Sequence, residues 1–304
     1  MEQRQLKLAI GGMVFAALFA APAGASTRTW VSGNGNDADP CSFTAPCKTF
    51  AGAFAKTDAG GEISVMGPGG YGTVTINKSL TINGVGSLAS ILVASGSGII
   101  VSAGATDKVV IRNVQFNGTS GGNSGVQVIS GNVTIDNCGF YGFTAGFFGG
   151  MGVLINANST TVVDIRDTNI SYSTHGVWAQ TTSGFAVASL DNVRINGSLG
   201  YGVIAASNGF VNVNRSYISN SAVTAVYTAS TGSTINVNDS VLTNNATAVN
   251  ASASGSTIRL NSVSLFDNTT ALATGAGATI ATANNNKAAG NGGALTTNGT
   301  VSNF

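Results

Sequence analysis

The stretch VVIRNVQF at residues 109–116 decides the fold, because variants of it return six more times along the chain. Apolar side chains stand at its first and third positions with polar or exposed ones between, an alternation typical of a half-buried β-strand. The other copies are VTIDNCGF (133–140), VDIRDTNI (163–170), ASLDNVRI (188–195), VNVNRSYI (211–218), INVNDSVL (235–242) and IRLNSVSL (258–265). Their fifth residues follow one another at steps of 24, 30, 25, 23, 24 and 23.

A second, shorter segment recurs with the same period. Its copies are GVQV (125–128), GVLI (152–155), GVWA (176–179), GVIA (202–205), AVYT (225–228), AVNA (248–251) and ALAT (271–274). Periods in this range indicate a solenoid, whose units bury their apolar faces only by stacking on one another. Each unit leaves no room for a helix, which argues against a leucine-rich repeat. The sequence therefore predicts an all-β, single-stranded parallel β-helix.

The fifth residue of each copy is expected to form the turn that follows the strand. Asparagine tolerates left-handed backbone angles, and stacked amides can donate hydrogen bonds to one another along the axis. The first, third and eighth residues face the core. The seven turn positions are Asn113, Asn137, Asp167, Asn192, Arg215, Asp239 and Ser262.

Composition excludes several classes of partner. The chain has 13 Lys and Arg against 12 Asp and Glu, and only 8% of its residues are charged. Nucleic acids and anionic membranes are bound through clustered Lys and Arg. We therefore expect no nucleic acid partner. With 43% hydrophobic residues the chain can build a core, which excludes disorder.

Residues 1–25 have the three-part pattern of a secretory signal peptide. Arg4 and Lys7 precede the apolar stretch LAIGGMVFAALFAA (8–21), and Ala23-Gly24-Ala25 offers an A-x-A cleavage site. The apolar stretch is short for a membrane span, although an anchor is the alternative. We expect cleavage before Ser26 and a secreted, periplasmic or cell-surface protein without a membrane span.

Export makes the three cysteines interpretable. Cys41 and Cys47 lie in DADPCSFTAPCKTF (37–50), where each follows a proline, and a local disulfide suits an oxidising compartment. Cys138 occupies a strand position and is expected to be a buried thiol. Three cysteines and one remote histidine lack paired ligand spacing, so no metal site and no cofactor are predicted.

The start of the predicted mature chain has the order of a cap. A strand at TRTWVS (27–32) is followed by the disulfide loop, by KTFAGAFAKT (48–57) with helical apolar spacing, and by the pattern E-I-x-V-x-x-P-G-G-Y (62–71). This order resembles the N-terminal cap of secreted right-handed parallel β-helix proteins, the pectin-lyase-like superfamily. The resemblance covers residues 27–280. We predict a cap with a short helix at 26–72 and right-handed coils at 73–304.

The second and fourth residues of each copy of the first segment face outward, and equivalent residues of successive turns form a column. These two columns carry the densest charge. Arg166 is bracketed by Asp136 and Asp191, one turn away on either side, and Asp164 lies two residues before it. A salt-bridge ladder that fixes the register of the coils is one interpretation. The other, which the resemblance to pectate lyases implies, is a Ca²⁺-assisted lyase site for acidic glycans with Arg166 as base. Every carboxylate there has an arginine neighbour, which favours the ladder.

An apolar stripe forms the outward column of the second repeated segment. It is made of Leu154, Trp178, Ile204 and Tyr227 on four consecutive turns. Exposed aromatic rings can stack on the sugar rings of a polysaccharide, and an apolar stripe can equally be covered by the chain or form a subunit contact. The inserted loop, with Phe143, Phe147 and Phe148, is expected either to form an apolar lip beside this stripe or to fold back on the solenoid. His175 is expected to be a surface turn residue.

Three functions follow from these patterns. The first is a secreted, non-catalytic polysaccharide-binding or envelope-associated interaction module, with self-association through the stripe as a further role. The second is a metal-assisted polysaccharide lyase, the only case that calls for Ca²⁺. The third is a structural surface protein.

Overall fold

The computed structural model describes residues 26–119, 121–146 and 149–302. Three parallel sheets run along a solenoid of about nine turns, and each turn contributes one strand to sheet A, then to sheet B, then to sheet C. The prediction of an all-β, right-handed parallel β-helix is confirmed.

Sheet A has twelve strands, Ser26–Val31, Thr57–Val65, Leu80–Asn83, Lys108–Arg112, Asn132–Asp136, Thr161–Arg166, Ala186–Asp191, Gly209–Asn214, Thr234–Asn238, Thr257–Asn261, Thr279–Thr282 and Gly299–Thr300. Sheet B has ten, Gly69–Gly70, Ala89–Val93, Val114–Gly118, Gly139–Tyr141, Asn169–Ser171, Arg194–Asn196, Tyr217–Ser219, Val241–Thr243, Ser264–Phe266 and Lys287–Ala289. Sheet C has nine, Val74–Ile76, Gly96–Ser102, Gly122–Ser130, Met151–Ala157, His175–Thr181, Tyr201–Ala205, Thr224–Thr228, Thr247–Ala251 and Thr270–Thr274.

Equivalent positions of the repeats are vertical neighbours. In sheet A, Val133 pairs with Val109 below and Val163 above, and the same register continues up the solenoid. Inward positions of the three sheets are buried and form one continuous core of Val, Ile, Leu, Phe and Ala. The predicted columns are therefore real neighbours in the folded chain.

All seven predicted turn residues have left-handed backbone angles. Their φ values lie between 47° and 59°, including those of Arg215 and Ser262. Asn137 donates to the Asn113 side chain over 2.6 Å, and Asn192 donates to Asp167 over 2.6 Å. The predicted stacking of polar side chains at this turn is confirmed for these two pairs.

A second left-handed position, which the sequence analysis does not predict, lies between sheets B and C. Its residues are Gly142, Tyr172, Gly197, Asn220, Asn244, Asp267 and Gly290, with φ between 51° and 76°. Short sheet B strands of three residues therefore turn sharply into sheet C.

The N-terminal cap is continuous with sheet A, because Ser26–Val31 pairs in parallel with Thr57–Val65. Cys41 and Cys47 form the predicted disulfide. The helix is Phe50–Phe54, shorter than the apolar spacing of 48–57 suggests, because strand structure already begins at Thr57. Thr49 caps it by accepting a hydrogen bond from the backbone N–H of Gly52 over 3.0 Å.

Cys138 is a free, buried cysteine, as predicted. Burial raises the pKa of its thiol to about 12, so the reactive thiolate is not formed at neutral pH. Phe143 is fully buried, which agrees with the folded-back alternative for this residue and not with an exposed lip. Its ring occupies the space above Gly118, where a Cβ would lie 2.5 Å from it.

The expected signal peptide at 1–25 and Phe147 and Phe148 of the expected lip lie outside the described residues. Within the described ranges, no helix has the length and apolar character that crossing a membrane requires.

Candidate functional site

The four charged residues of the predicted ladder share the outer face of sheet A. Arg166 lies in register with Asp136 on one side and Asp191 on the other. Asp164 has Thr134 and Ser189 as its neighbours in register. The backbone places these side chains as the repeats predict.

The ion pairs differ from those that an alternating ladder implies. Asp191 pairs with Arg215, which reaches back from the left-handed turn one coil further on. Arg112 pairs with Glu62 over 3.3 Å, two coils below it. Among the residues that the structure describes, no ion pair involves Arg166. Charge on this face is therefore organised around Glu62 and Asp191 rather than around Arg166.

Glu62 is the most connected of these carboxylates. Burial raises its pKa, but hydrogen bonds from Ser64 and Asn83 and the charges of Arg28 and Arg112 together hold the pKa below its ordinary value of 4.5. Because the folded-state pKa is lowered, the stabilisation is present above about pH 4.5 and is lost as the pH falls through the folded-state value. Glu62 thus contributes to the junction of cap and coils at neutral pH.

A metal-binding arrangement is not part of the described chain. Over residues 26–119, 121–146 and 149–302, no group of three or more His, Cys, Asp or Glu side chains lies close enough to hold an ion. Asp136 and Asp191 stand on strands separated by the strand of Arg166, which puts their Cα atoms roughly 9.6 Å apart.

The predicted apolar stripe lies on the outer face of sheet C. Leu154 pairs in register with Trp178, Trp178 with Ile204, and Ile204 with Tyr227. Leu154, Trp178 and Tyr227 are half-buried. Ile204 corrects the expectation of an exposed stripe: only 1% of it is exposed, because it lies between the larger side chains of Trp178 and Tyr227. The face therefore presents the rings of Trp178 and Tyr227, and the buried side chain of Ile204 fills the space between them.

A cluster of aromatic side chains, which sequence reasoning found only in part, builds this face. Tyr201 stacks on Tyr227 with ring centroids 4.6 Å apart and an interplanar angle of 11°. His175 stacks on Tyr201 at 5.4 Å and meets the edge of Trp178 at 5.2 Å. Burial raises the pKa of Tyr201, and Tyr227 adds to the rise, so its hydroxyl stays protonated at neutral pH.

His175 corrects a second expectation, because it is fully buried rather than a surface turn residue. It begins a strand of sheet C, and its Nδ1 accepts a hydrogen bond from the backbone N–H of Tyr201 over 3.2 Å. An imidazole held in this way supports the rings of Trp178 and Tyr201 from below. The sequence signal for this contact was that His175 and Tyr201 directly precede two consecutive copies of the second repeated segment, GVWA (176–179) and GVIA (202–205).

Amide side chains continue the aromatic cluster along the same face. The indole Nε1–H of Trp178 donates to Gln180 over 3.1 Å, and Gln180 donates to Asn156 over 3.0 Å. Gln127 and Asn250, also half-buried, extend the column of the stripe in both directions. We call the set of Leu154, Trp178, Gln180, Tyr201 and Tyr227 with these amides the sheet C face.

The sheet C face differs from sheet A in its charge. Within the described part of the chain, none of the nine strands of sheet C contains Asp, Glu, Lys or Arg. The charged residues of the predicted ladder lie on a different face of the solenoid. The two predicted sites are therefore separate.

No family model matches the sequence, and no curated protein matches it. Pectate lyase Pel9A is similar in structure, with a TM-score of 0.63 and 16% identity, over 88% of this chain and 80% of that chain. An alginate lyase from Paenibacillus sp. str. FPU-7 has a TM-score of 0.58 and 13% identity, over 90% of this chain and 98% of that chain. At these identities the similarity concerns the fold. The protein has the pectin-lyase-like fold, a right-handed parallel β-helix.

Proposed function

We propose that the protein is an exported, non-catalytic module that binds a neutral polysaccharide on the sheet C face. The observation that carries this proposal is the combination of half-exposed aromatic rings with a chain of amides on a flat parallel sheet. Aromatic rings pack against the C–H faces of sugars, while amides exchange hydrogen bonds with sugar hydroxyls. The disulfide Cys41–Cys47 supports a location in an oxidising compartment.

The charge of the face favours a neutral ligand. Pectate and alginate, named in the two structural neighbours, are acidic polymers that call for cations or bound metal ions at their binding surfaces. The strands of sheet C supply no Lys or Arg and no carboxylates to hold Ca²⁺. We therefore expect neutral polysaccharides to bind more tightly than acidic ones.

Fixed geometry supports binding without a large entropy cost. Tyr227 is held by stacking on Tyr201, and the indole of Trp178 is held by His175 and Gln180. Rings that are already immobilised lose little side-chain freedom when a ligand arrives. The arrangement is that of a preformed binding surface.

Replacing Trp178 and Tyr227 with alanine tests the proposal. We expect each change to weaken binding by about ten-fold or more, because each removes a stacking ring. The measurement is native electrophoresis in gels that contain glucomannan, xylan, mixed-linkage β-glucan, pectate or alginate. Phe185→Ala is the matched control, since Phe185 is half-exposed and its ring packs against Phe210 of sheet A rather than against the sheet C face. Equal retention of the wild type and both variants in every gel would contradict the proposal.

The lyase alternative, centred on Asp136, Asp164, Arg166 and Asp191, has its own assay. A lyase acting on pectate with Ca²⁺ generates unsaturated products that absorb in the ultraviolet. A steady rise in absorbance with the wild type that Arg166→Ala abolishes would replace the proposed function. A purely structural surface protein would give neither retention in the gels nor a rise in absorbance.

A further inference from the structure

Tyr172 occupies a backbone position that suits other residues. It has φ of 51° in the second left-handed column, whose six other described members are Gly, Asn or Asp. Those three residue types adopt left-handed angles most readily, whereas a bulky aromatic residue there is uncommon and strained. The fold would be served at least as well by Gly or Asn, so the tyrosine ring calls for another reason.

The ring of Tyr172 forms a pair with that of Tyr141. Their centroids are 5.6 Å apart and their planes meet at 69°. Tyr141 ends a strand of sheet B, and the turn holding Tyr172 begins where the next sheet B strand ends. The Tyr172 ring also covers Gly197, where an added Cβ would lie 3.2 Å from the ring. Both rings are thus held in place by their surroundings.

Both tyrosines nevertheless face solvent. Tyr141 is 56% exposed and Tyr172 is 55% exposed. Two rings of this size offer far less area than the roughly 800 Å² that each partner buries in a stable protein interface. The pair is too small for a protein partner and large enough for one or two sugar rings.

The side chains in register with Tyr141 are polar and uncharged. In register with Tyr141 stand Asn117 and Ser171, and Asn196 follows Ser171. Asn196 accepts hydrogen bonds from Ser219 over 3.0 Å and from Asn220 over 2.8 Å. Amides and hydroxyls beside exposed rings match the alternating C–H and hydroxyl groups of a neutral sugar.

We propose that Tyr141 and Tyr172 form a second carbohydrate-binding platform, which stacks a neutral pyranose ring at the boundary of sheets B and C. This platform shares no residue with the sheet C face, and the proposal for it does not depend on binding at the sheet C face. Its ligand is of the same chemical class. A polymer that contacts both surfaces would be held at two points, which increases its overall affinity.

The test is Tyr172→Gly, assayed in native gels that contain glucomannan, xylan or mixed-linkage β-glucan. We expect retention to fall about ten-fold, while the Tm stays unchanged or rises, because glycine relieves the strained angle. Tyr172→Phe keeps the ring and is expected to keep binding. Asn244→Gly, in the same column, is the matched control and leaves binding unchanged.

Three outcomes overturn this platform. The first is unchanged retention of Tyr172→Gly, which overturns the platform whatever Trp178→Ala shows. Failure of the platform is therefore distinguishable from failure of the sheet C face. A Tm several degrees lower for Tyr172→Gly would show that the ring serves the fold. A wild type retained by none of the three neutral polysaccharides would overturn the platform and the sheet C face together.

Discussion

Replacing Gly202 with alanine is expected to destabilise the protein by about 2 to 3 kcal/mol, the upper part of the range that overpacking a close-packed core costs. An added Cβ would lie 2.6 Å from the carbonyl oxygen of Ala225 and 2.6 Å from Cγ2 of Ile218. Neither atom can withdraw easily, because one is backbone and the other belongs to a β-branched side chain with a restricted rotamer. Urea denaturation measures the change.

The repeats explain why glycine stands at this position. Its column continues from Gly202 as Ala225, Ala248 and Ala271, and the facing column of sheet B continues from Ile218 as Leu242 and Leu265. Leucine has no Cγ2 close to the backbone, so it leaves space for a Cβ opposite. Gly202 faces Ile218, whereas the sheet B column holds leucine in the strands that follow Ala225 and Ala248, which keeps the packed volume of these turns nearly constant.

Ile218→Leu therefore serves as the partner variant. We expect Gly202→Ala combined with Ile218→Leu to be more stable than the sum of the single effects, with a coupling of about 0.5 kcal/mol or more. Additive effects would show that the two columns do not share space. A Gly202→Ala variant as stable as the wild type would contradict the close contact itself.

Replacing Asn268 with leucine is expected to cost about 3 to 5 kcal/mol, because several buried polar groups lose their partners at once. Asn268 is 1% exposed. Its Oδ1 accepts from the backbone N–H of Asn245 over 3.0 Å, and its Nδ2 donates to the carbonyl of Leu242 over 2.9 Å. It also donates to Asn291 over 2.8 Å. Asn245, Asn268 and Asn291 thus form a largely buried row of hydrogen-bonded amides, the inner asparagine ladder, which continues into the last coil.

Asn238→Leu is the matched control, because Asn238 belongs to an amide ladder on the outer face of sheet A. It donates to Asn214 over 3.0 Å, and it is only half-buried. Groups left without partners there can turn to water, so we expect a loss of about 1 kcal/mol or less. Equal losses for the two variants in urea denaturation would show that the inner ladder has no special role in stability.

The repeat pattern made most of the fold predictable. Positions near Asn113 repeat in sequence because each turn needs the same inward side chains and the same left-handed residue, and both requirements are local. The disulfide was predictable for the same reason, since Cys41 and Cys47 lie close in sequence. Columns drawn from these positions gave the correct register for Trp178 and Tyr227.

Burial of the site residues was less predictable, because it depends on contacts between coils. Ile204 has the same outward position as Trp178, yet its neighbours cover it. His175 is polar and lies next to a turn, and Phe143 lies in the inserted loop. Both features suggest the surface, yet both residues are buried. The inner asparagine ladder had a signal, since Ser221, Asn245, Asn268 and Asn291 follow at steps of 24, 23 and 23. It was missed because asparagine is usually a surface residue.

The repeats assign charge and aromatic rings to different segments, and the three-dimensional arrangement shows that these segments form different sheets. Arginine and aspartate follow the strands of sheet A, while Trp178 and Tyr227 follow those of sheet C. Both groups recur with the same period, so the sequence does not tell whether they line one groove or two faces. Their separation is what favours binding of a neutral ligand over a lyase reaction at a combined site.

The fluorescence of Trp178 tests the sheet C face most directly. The chain has two tryptophans, and Trp30 lies in the cap beside Phe43, so a Trp30→Phe variant leaves Trp178 as the sole indole. Titration of this variant with mannose, xylose and glucose hexasaccharides is expected to produce a saturable change in emission with at least one of them, as a sugar ring covers the indole. No change with any hexasaccharide, in a protein that glucomannan, xylan or β-glucan gels still retain, would contradict binding on this face.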